Sequence, residues 1–281
     1  MSMKKPFVSE IAPKTYVINE YGLTAMYLCI GSERALLIDT GCGVCELKEL
    51  VAELTDKPYD VVLTHGHLDH CGGIGAFEKV YANERDFDMI HNVNFEELRN
   101  YCDTLGNMGG YDAYAYSRDM VKEFTEFPEL INVEDGFVFD LGDRSLKVVT
   151  IAGHTPGGLA LLDEKNRLLI SGDCCNTNTL GMGGSVNTML RGFLKVQALS
   201  DKFDQNWNGH VGYAGLPTCF SQPESAIEDL IQCCKLVLEG KAEPVETIFL
   251  GRKTTGVNYG KVRMTYNPER LLDEGEEPVA Y

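Results

Sequence analysis

The sequence predicts an α/β chain in which two sheets pack together and helices cover their outer faces. Two observations carry this prediction. Apolar runs of strand length, bounded by turn residues, occur in two series, one in the first third of the chain and one beyond Gly136. Each series is joined to stretches with leucines, valines and isoleucines at helical spacing. No low-complexity segment or fixed-period repeat interrupts the pattern, and the 281 residues read as a single domain.

Taken in order, "TYVINEY", "TAMYLCIG" and "RALLIDTG" are rich in β-branched and aromatic residues and read as consecutive antiparallel strands. "CELKELVAELT" reads as an amphipathic helix and "YDVVLTH" as a short buried strand. "GGIGAFEKV" reads as the start of the next helix. Residues 84–130 are polar, helix-prone and rich in tyrosine and methionine, and read as a helical insertion. The second series, "FVFDLG", "LKVVTIAGH", "LALLDE" and "RLLISGD", has Asp/Gly turns between strands. "VNTMLRGFLKVQALSDKF" and "ESAIEDLIQCCKLVLEG" read as helices. The tail after His210 reads as the second of these helices and one terminal strand, "KVRMTY".

Composition narrows the function. Acidic residues outnumber basic ones, 42 to 25, and the net charge is −17. Such a surface repels phosphate backbones and anionic membranes, so neither nucleic acid nor membrane is expected as a partner. The N-terminus has lysines but no apolar segment after them, and no stretch has the length of a membrane span. A cytoplasmic protein is expected. Its ten cysteines then read as reduced core thiols rather than a disulfide framework.

The stretch "THGHLDH" concentrates the chemistry. It holds His65, His67 and His70, half of the six histidines, together with Asp69. With this composition, the pattern His-x-His-x-Asp-His arises by chance in on the order of one chain in several thousand, so coincidence is a poor account of it. It follows a buried strand, where a rigid backbone lets side chains converge. His65 and His67 alternate and can reach one metal ion, while Asp69 and His70 follow a turn and can face a second. Imidazole and carboxylate suit zinc, iron or manganese. Completing two coordination spheres needs more donors, and glycine-rich strand ends and loops supply them at His154 of "IAGHTPGG", Asp173 of "LLISGDCC" and His210 of "WNGHVG". His91 has no such context. Cys71 and Cys174 adjoin these residues and read as packing thiols.

The ordered series "LLIDTG", "THGHLDHCGG", "GHTPGG", "SGD" and "GH" resembles the metallo-β-lactamase superfamily, in its glyoxalase II-like and lactonase-like branch, over residues 15–212. The resemblance implies a four-layer αβ/βα sandwich with two divalent metal ions at one edge, zinc by default and iron or manganese as alternatives. It implies that His65, His67 and His154 bind the first ion, that Asp69, His70 and His210 bind the second, and that Asp173 bridges them. Asp39 would orient a ligand histidine. The implied activity is hydrolysis of a small ester, thioester or lactone by a metal-bridging hydroxide, with Asp69 orienting it and later carrying a proton. The alternative is an iron-dependent redox enzyme of the same superfamily, persulfide dioxygenase-like or oxygen-reducing.

The long interval between His70 and His154 holds the insertion. Its "NMGGYDAYAYSRDM" segment, with Tyr111, Tyr114 and Tyr116, reads as a lid or pocket wall for a small-molecule substrate, from its own subunit or across a homodimer. The competing reading is a helical hairpin that only packs. The loop "NTNTLGMGGSVNT" is a second candidate wall.

Overall fold

Short turns and long crossovers decide the first sheet. The computed structural model describes residues 5–108, 116–210, 220–249 and 252–281. The strands β1 (Phe7–Ala12), β2 (Thr15–Glu20), β3 (Thr24–Ile30) and β4 (Ala35–Ile38) are joined by links of a few residues and pair antiparallel. After β4 the links lengthen and the pairing turns parallel through β5 (Tyr59–Val62), β6 (Lys79–Ala82) and β7 (Glu129–Asn132). A parallel neighbour needs a crossover long enough to return the chain. The crossovers carry α1 (Leu47–Leu54), then α2 (Leu68–Cys71), then α3 (Phe87–His91) and α4 (Phe95–Met108). The result is a seven-stranded sheet ordered β1-β2-β3-β4-β5-β6-β7.

The strands covered on both faces are the near-continuous apolar ones. Every residue of β3 and β4 is buried. In α1 the buried residues are Leu47, Leu50 and Val51, at the spacing that puts one helix face on the core. These elements share a core with Leu28, Leu37, Leu63, Val80 and Leu98.

The chain divides into two compact units, the first comprising residues 1–147 and 209–220 and the second residues 148–208 and 221–281. The hairpin of β8 (Val138–Asp140) with β9 (Ser145–Thr150) ends the first stretch, and the boundary falls within β9. In the second unit β10 (Leu159–Asp163) and β11 (Leu168–Ile170) continue from β9 in a sheet whose next strand is β13 (Gln205–Trp207). Before β13 come β12 (Asn178–Leu180) and α5 (Val186–Gln197). After it come α6 (Ala226–Leu238), β14 (Val245–Phe249), β15 (Arg252–Tyr259) and β16 (Val262–Tyr266). A separate sheet is ordered β12-β16-β15-β14. Met189, Leu190, Phe193 and Val196 of α5 share one core with Leu230, Ile231, Cys233, Cys234 and Val237 of α6. Among the described residues no helix is long and apolar enough to cross a membrane.

Two readings of the sequence need correction. The stretch "GGIGAFEKV" does not start a helix. The helix is α2, inside the histidine motif, and Gly72 ends it. Only a single 3₁₀ turn, Ile74–Ala76, follows before β6 begins at Lys79. Among the described residues, the tail after His210 holds three strands rather than one, because β14 and β15 form an antiparallel hairpin beside β16. β15 is largely polar and takes its place from long-range pairing, which no local pattern announces.

The glycine pair of the motif has a steric reason. A Cβ on Gly73 would lie 2.4 Å from the carbonyl oxygen of Thr40, so the chain after β4 lies backbone to backbone against the end of α2. Thr40 also receives support from the motif, since its amide donates to His70 O at 2.9 Å and its hydroxyl to the same oxygen at 3.0 Å. Gly73→Ala is expected to destabilise the protein by about 1–3 kcal/mol, as overpacking does. Chemical denaturation would measure this, and wild-type stability would contradict the close approach.

Candidate metal centre

The histidine motif begins where β5 ends, at the carboxyl end of a parallel strand, which is where open α/β sheets place ligands. Asp39 sits at the corresponding end of β4, with φ of 63°, a left-handed conformation unusual for a residue with a side chain. Its carboxylate explains why it is held there. Oδ1 accepts from Thr64 N at 2.6 Å, and Oδ2 accepts from Thr64 Oγ1 at 2.8 Å. Oδ2 also lies 2.9 Å from His70 Nδ1. Asp39, Thr64 and His70 are all buried.

These contacts settle the imidazole tautomers. Both Asp39 oxygens already accept from Thr64, and with Oδ2 the acceptor here too, His70 carries its proton on Nδ1 and presents Nε2 as a lone pair. The one proton of the Thr64 hydroxyl goes to Asp39, so its oxygen accepts from His65 Nδ1 at 3.0 Å, and His65 Nε2 is likewise a lone pair. His210 gives Nδ1–H to the carbonyl of Leu23 at 3.2 Å. The neighbouring Gly209 carbonyl accepts from Ala25 N at 2.7 Å and Thr24 Oγ1 at 3.1 Å, which fixes His210 against the turn into β3.

The Nε2 atoms so presented converge. His70 Nε2 lies 3.6 Å and His210 Nε2 lies 3.4 Å from Asp69 Oδ2. Two donors each about 2.1 Å from one ion, at a tetrahedral angle, stand about 3.4 Å apart. Asp69, His70 and His210 therefore have the spacing and the donor chemistry of a divalent-metal shell, and their candidate ligand atoms all lie within 4.8 Å of one another. The rings of His65 and His67 are 4.8 Å apart, and those of His65 and His70 are 4.1 Å apart.

The second unit holds the other two predicted residues. Gly153, with φ of 148°, turns the chain after β9 and delivers His154. Its Nδ1–H donates to the carbonyl of Leu180 in β12 at 2.7 Å, so the "NTNTLGMGGSVNT" segment orients this ring. Asp173 follows β11 through Ser171 and Gly172, and its Oδ2 lies 3.7 Å from His154 Nε2.

The surroundings contain groups that the sequence did not single out. Tyr101 of α4 donates its hydroxyl to Asp69 Oδ2 at 2.6 Å. Asp86, buried before α3, accepts from Gly66 N at 2.9 Å and holds the turn between His65 and His67. Glu20, fully buried at the end of β2, accepts from the amides of Cys42, Val44 and Cys45 at 2.6–3.1 Å. Burial pushes its carboxyl up and the amide donors pull it back. A local signal marks none of them, since each is an ordinary residue of a strand or of the polar insertion. Cys71 is wholly buried, its thiol pushed far up by burial and aimed at Gly66 O at 3.5 Å, and Cys174 is buried too. Both thiols pack. His91 ends α3 beside Phe127, with ring centres 5.5 Å apart. Tyr116 gives its hydroxyl to Asp103 at 3.1 Å, whereas Tyr111 and Tyr114 lie outside the described residues.

The chain is similar to several known proteins. The chain is 30% identical over 164 residues to acyl-coenzyme A thioesterase MBLAC2 of Homo sapiens, a match covering 53% of this chain and 57% of that protein. It is 26% identical over 147 residues to hydroxyacylglutathione hydrolase GloC of Haemophilus influenzae, covering 50% of this chain and 61% of that one. The chain thus spans little more than half the length of these curated relatives. Among solved structures, a metallo-beta-lactamase family protein from Thermus thermophilus aligns with a TM-score of 0.54 at 22% identity, covering 82% of each chain, which establishes a shared fold. The model of the metallo-beta-lactamase superfamily matches residues 21–199, well over half of the sequence, and the chain belongs to that superfamily.

Proposed function

We propose that this protein is a metal-dependent hydrolase of a small ester, thioester or lactone, and that thioesters head that class. The observation that carries the reading is the Asp69–His70–His210 cluster, whose Nε2–Oδ2 spacings of 3.4 and 3.6 Å suit a shared ion. Its chemistry narrows toward thioesters because one relative is named for acyl-coenzyme A and another for hydroxyacylglutathione.

In this reading His65, His67 and His154 hold one divalent ion, Asp69, His70 and His210 hold a second, and Asp173 serves both. Zinc is the default for this donor set, and iron and manganese accept the same donors. When bound, such ions lower the pKa of water toward neutrality and polarise a carbonyl. The protein's own residues do the rest. Asp39 and Thr64 keep His70 and His65 in the tautomers that bind metal. Asp69, buried and tied to Tyr101, orients the attacking water and takes up its proton. A thiol leaving group has a pKa of about 8.5, so a thioester needs no stronger acid than a single carboxylate to manage that proton.

Protein purified without oxygen and offered esters, thioesters and lactones is expected to turn over thioesters fastest. Chelation should abolish turnover, and zinc should restore it. Asp69→Ala is expected to lower kcat/KM by about 10²–10⁴-fold while the His65–His67–His154 ion stays bound. Wild-type turnover in that variant would contradict the assignment. Oxygen consumption in step with product would instead favour the iron-dependent redox chemistry.

A further inference from the structure

The helix α4 belongs to the insertion, yet one of its side chains ends at the metal motif. Leu98, Cys102 and Leu105 are buried at positions that share one helix face, and they fix that face against the core of the first unit. Tyr101 lies one turn on from Leu98, on the same side, half-buried in that core. The start of α4 is secured by Asn94, whose Oδ1 accepts from Glu96 N at 3.0 Å and Glu97 N at 3.2 Å. On its outer side Asp103 meets Arg118 and Tyr116, and Arg99 pairs with Glu123 at 2.7 Å. The helix is thus held at its start, along its inner face and by the segment that follows, so the position of the Tyr101 hydroxyl is set by packing rather than by a free side chain.

That hydroxyl reaches a particular oxygen. Asp69 Oδ2, at 2.6 Å from Tyr101, is the same atom that faces His70 Nε2 and His210 Nε2. We propose that Tyr101 is a positioning residue for Asp69. Its phenol fixes the Oδ2 oxygen toward His70 and His210 and so sets the affinity of the second metal position. On this view the insertion braces the site at two points, because Asp86 at its start holds Gly66 in the same motif. A carboxylate that accepts a hydrogen bond while it binds metal loses rotational freedom, and removal of such a supporting partner weakens metal affinity by about 10–100-fold. Phenylalanine at this position keeps the ring that packs on the core and deletes only the donor.

The inference rests on the two-ion reading above, and cobalt titration of chelated protein separates the two. Visible absorption follows each equivalent of Co²⁺ as it binds. Wild-type protein is expected to take up two equivalents. In Tyr101→Phe the first equivalent is expected to bind as in the wild type, and the second about 10–100-fold more weakly with an altered band shape. The melting temperature of the metal-free protein should stay near that of the wild type. Asp103→Asn, which loosens the outer side of the same helix, is expected to leave both equivalents unchanged. Two wild-type-like equivalents in Tyr101→Phe would overturn the assignment, as would an Asp103→Asn protein that behaves like Tyr101→Phe. Fewer than two equivalents in the wild type would instead bring down the two-ion reading, and this one with it.

Discussion

The Asp39 carboxylate is the constraint on which the first unit's site depends. It sits at the end of β4 in a left-handed conformation, with φ of 63°. Such a conformation costs on the order of 1–3 kcal/mol for a residue with a side chain. Three donors converge on it, the Thr64 amide, the Thr64 hydroxyl and His70 Nδ1. Hydrogen bonds to a charged group contribute about 1.5–3 kcal/mol each, enough to offset the strain. One carboxylate thereby joins the ends of two neighbouring strands to the motif helix. It also decides where two imidazole protons sit, directly for His70 and through Thr64 for His65. If Asp39 were an amide, its NH₂ would compete with these donors, and the tautomers would no longer be dictated.

Around this node the loops are locked by buried and half-buried groups. Glu20 gathers three amides of the chain after β4, and burial raises its carboxyl against their pull. Gly73 lets that chain lie against the motif with no side chain between them. Asp86 and Tyr101 approach from the insertion. Such an arrangement holds the candidate ligand side chains in place through the protein's own packing, and if an ion binds there, little ordering is left to be done. The second unit repeats the logic with a carbonyl in place of a carboxylate, Leu180 O accepting from His154 Nδ1.

How much of this was legible in the sequence depended on how local each feature is. β3 and β4 are buried on both faces and read as unbroken apolar runs, so they stood out. The amphipathic helices α1, α5 and α6 were visible through their spacing. β15 was not, since its residues are polar and its partners lie elsewhere in the chain. The stretch "GGIGAFEKV" suggested a helix start, but the role of its first two glycines is steric clearance between two backbones. The histidines and aspartates of the motifs stood out because they are rare residues at fixed spacing. Tyr101, Asp86 and Glu20 did not, because a tyrosine in a helix or a glutamate in a strand acquires its meaning only from what packs against it.

The most direct measurement is a crystal structure of the zinc-reconstituted protein, with anomalous diffraction collected on both sides of the zinc edge. Two anomalous peaks about 3.5–4 Å apart are expected. One should lie about 2.0–2.2 Å from Nε2 of His65, His67 and His154, and the other at that distance from Asp69, His70 and His210, with Asp173 reaching both. A single peak, or peaks away from these side chains, would contradict it.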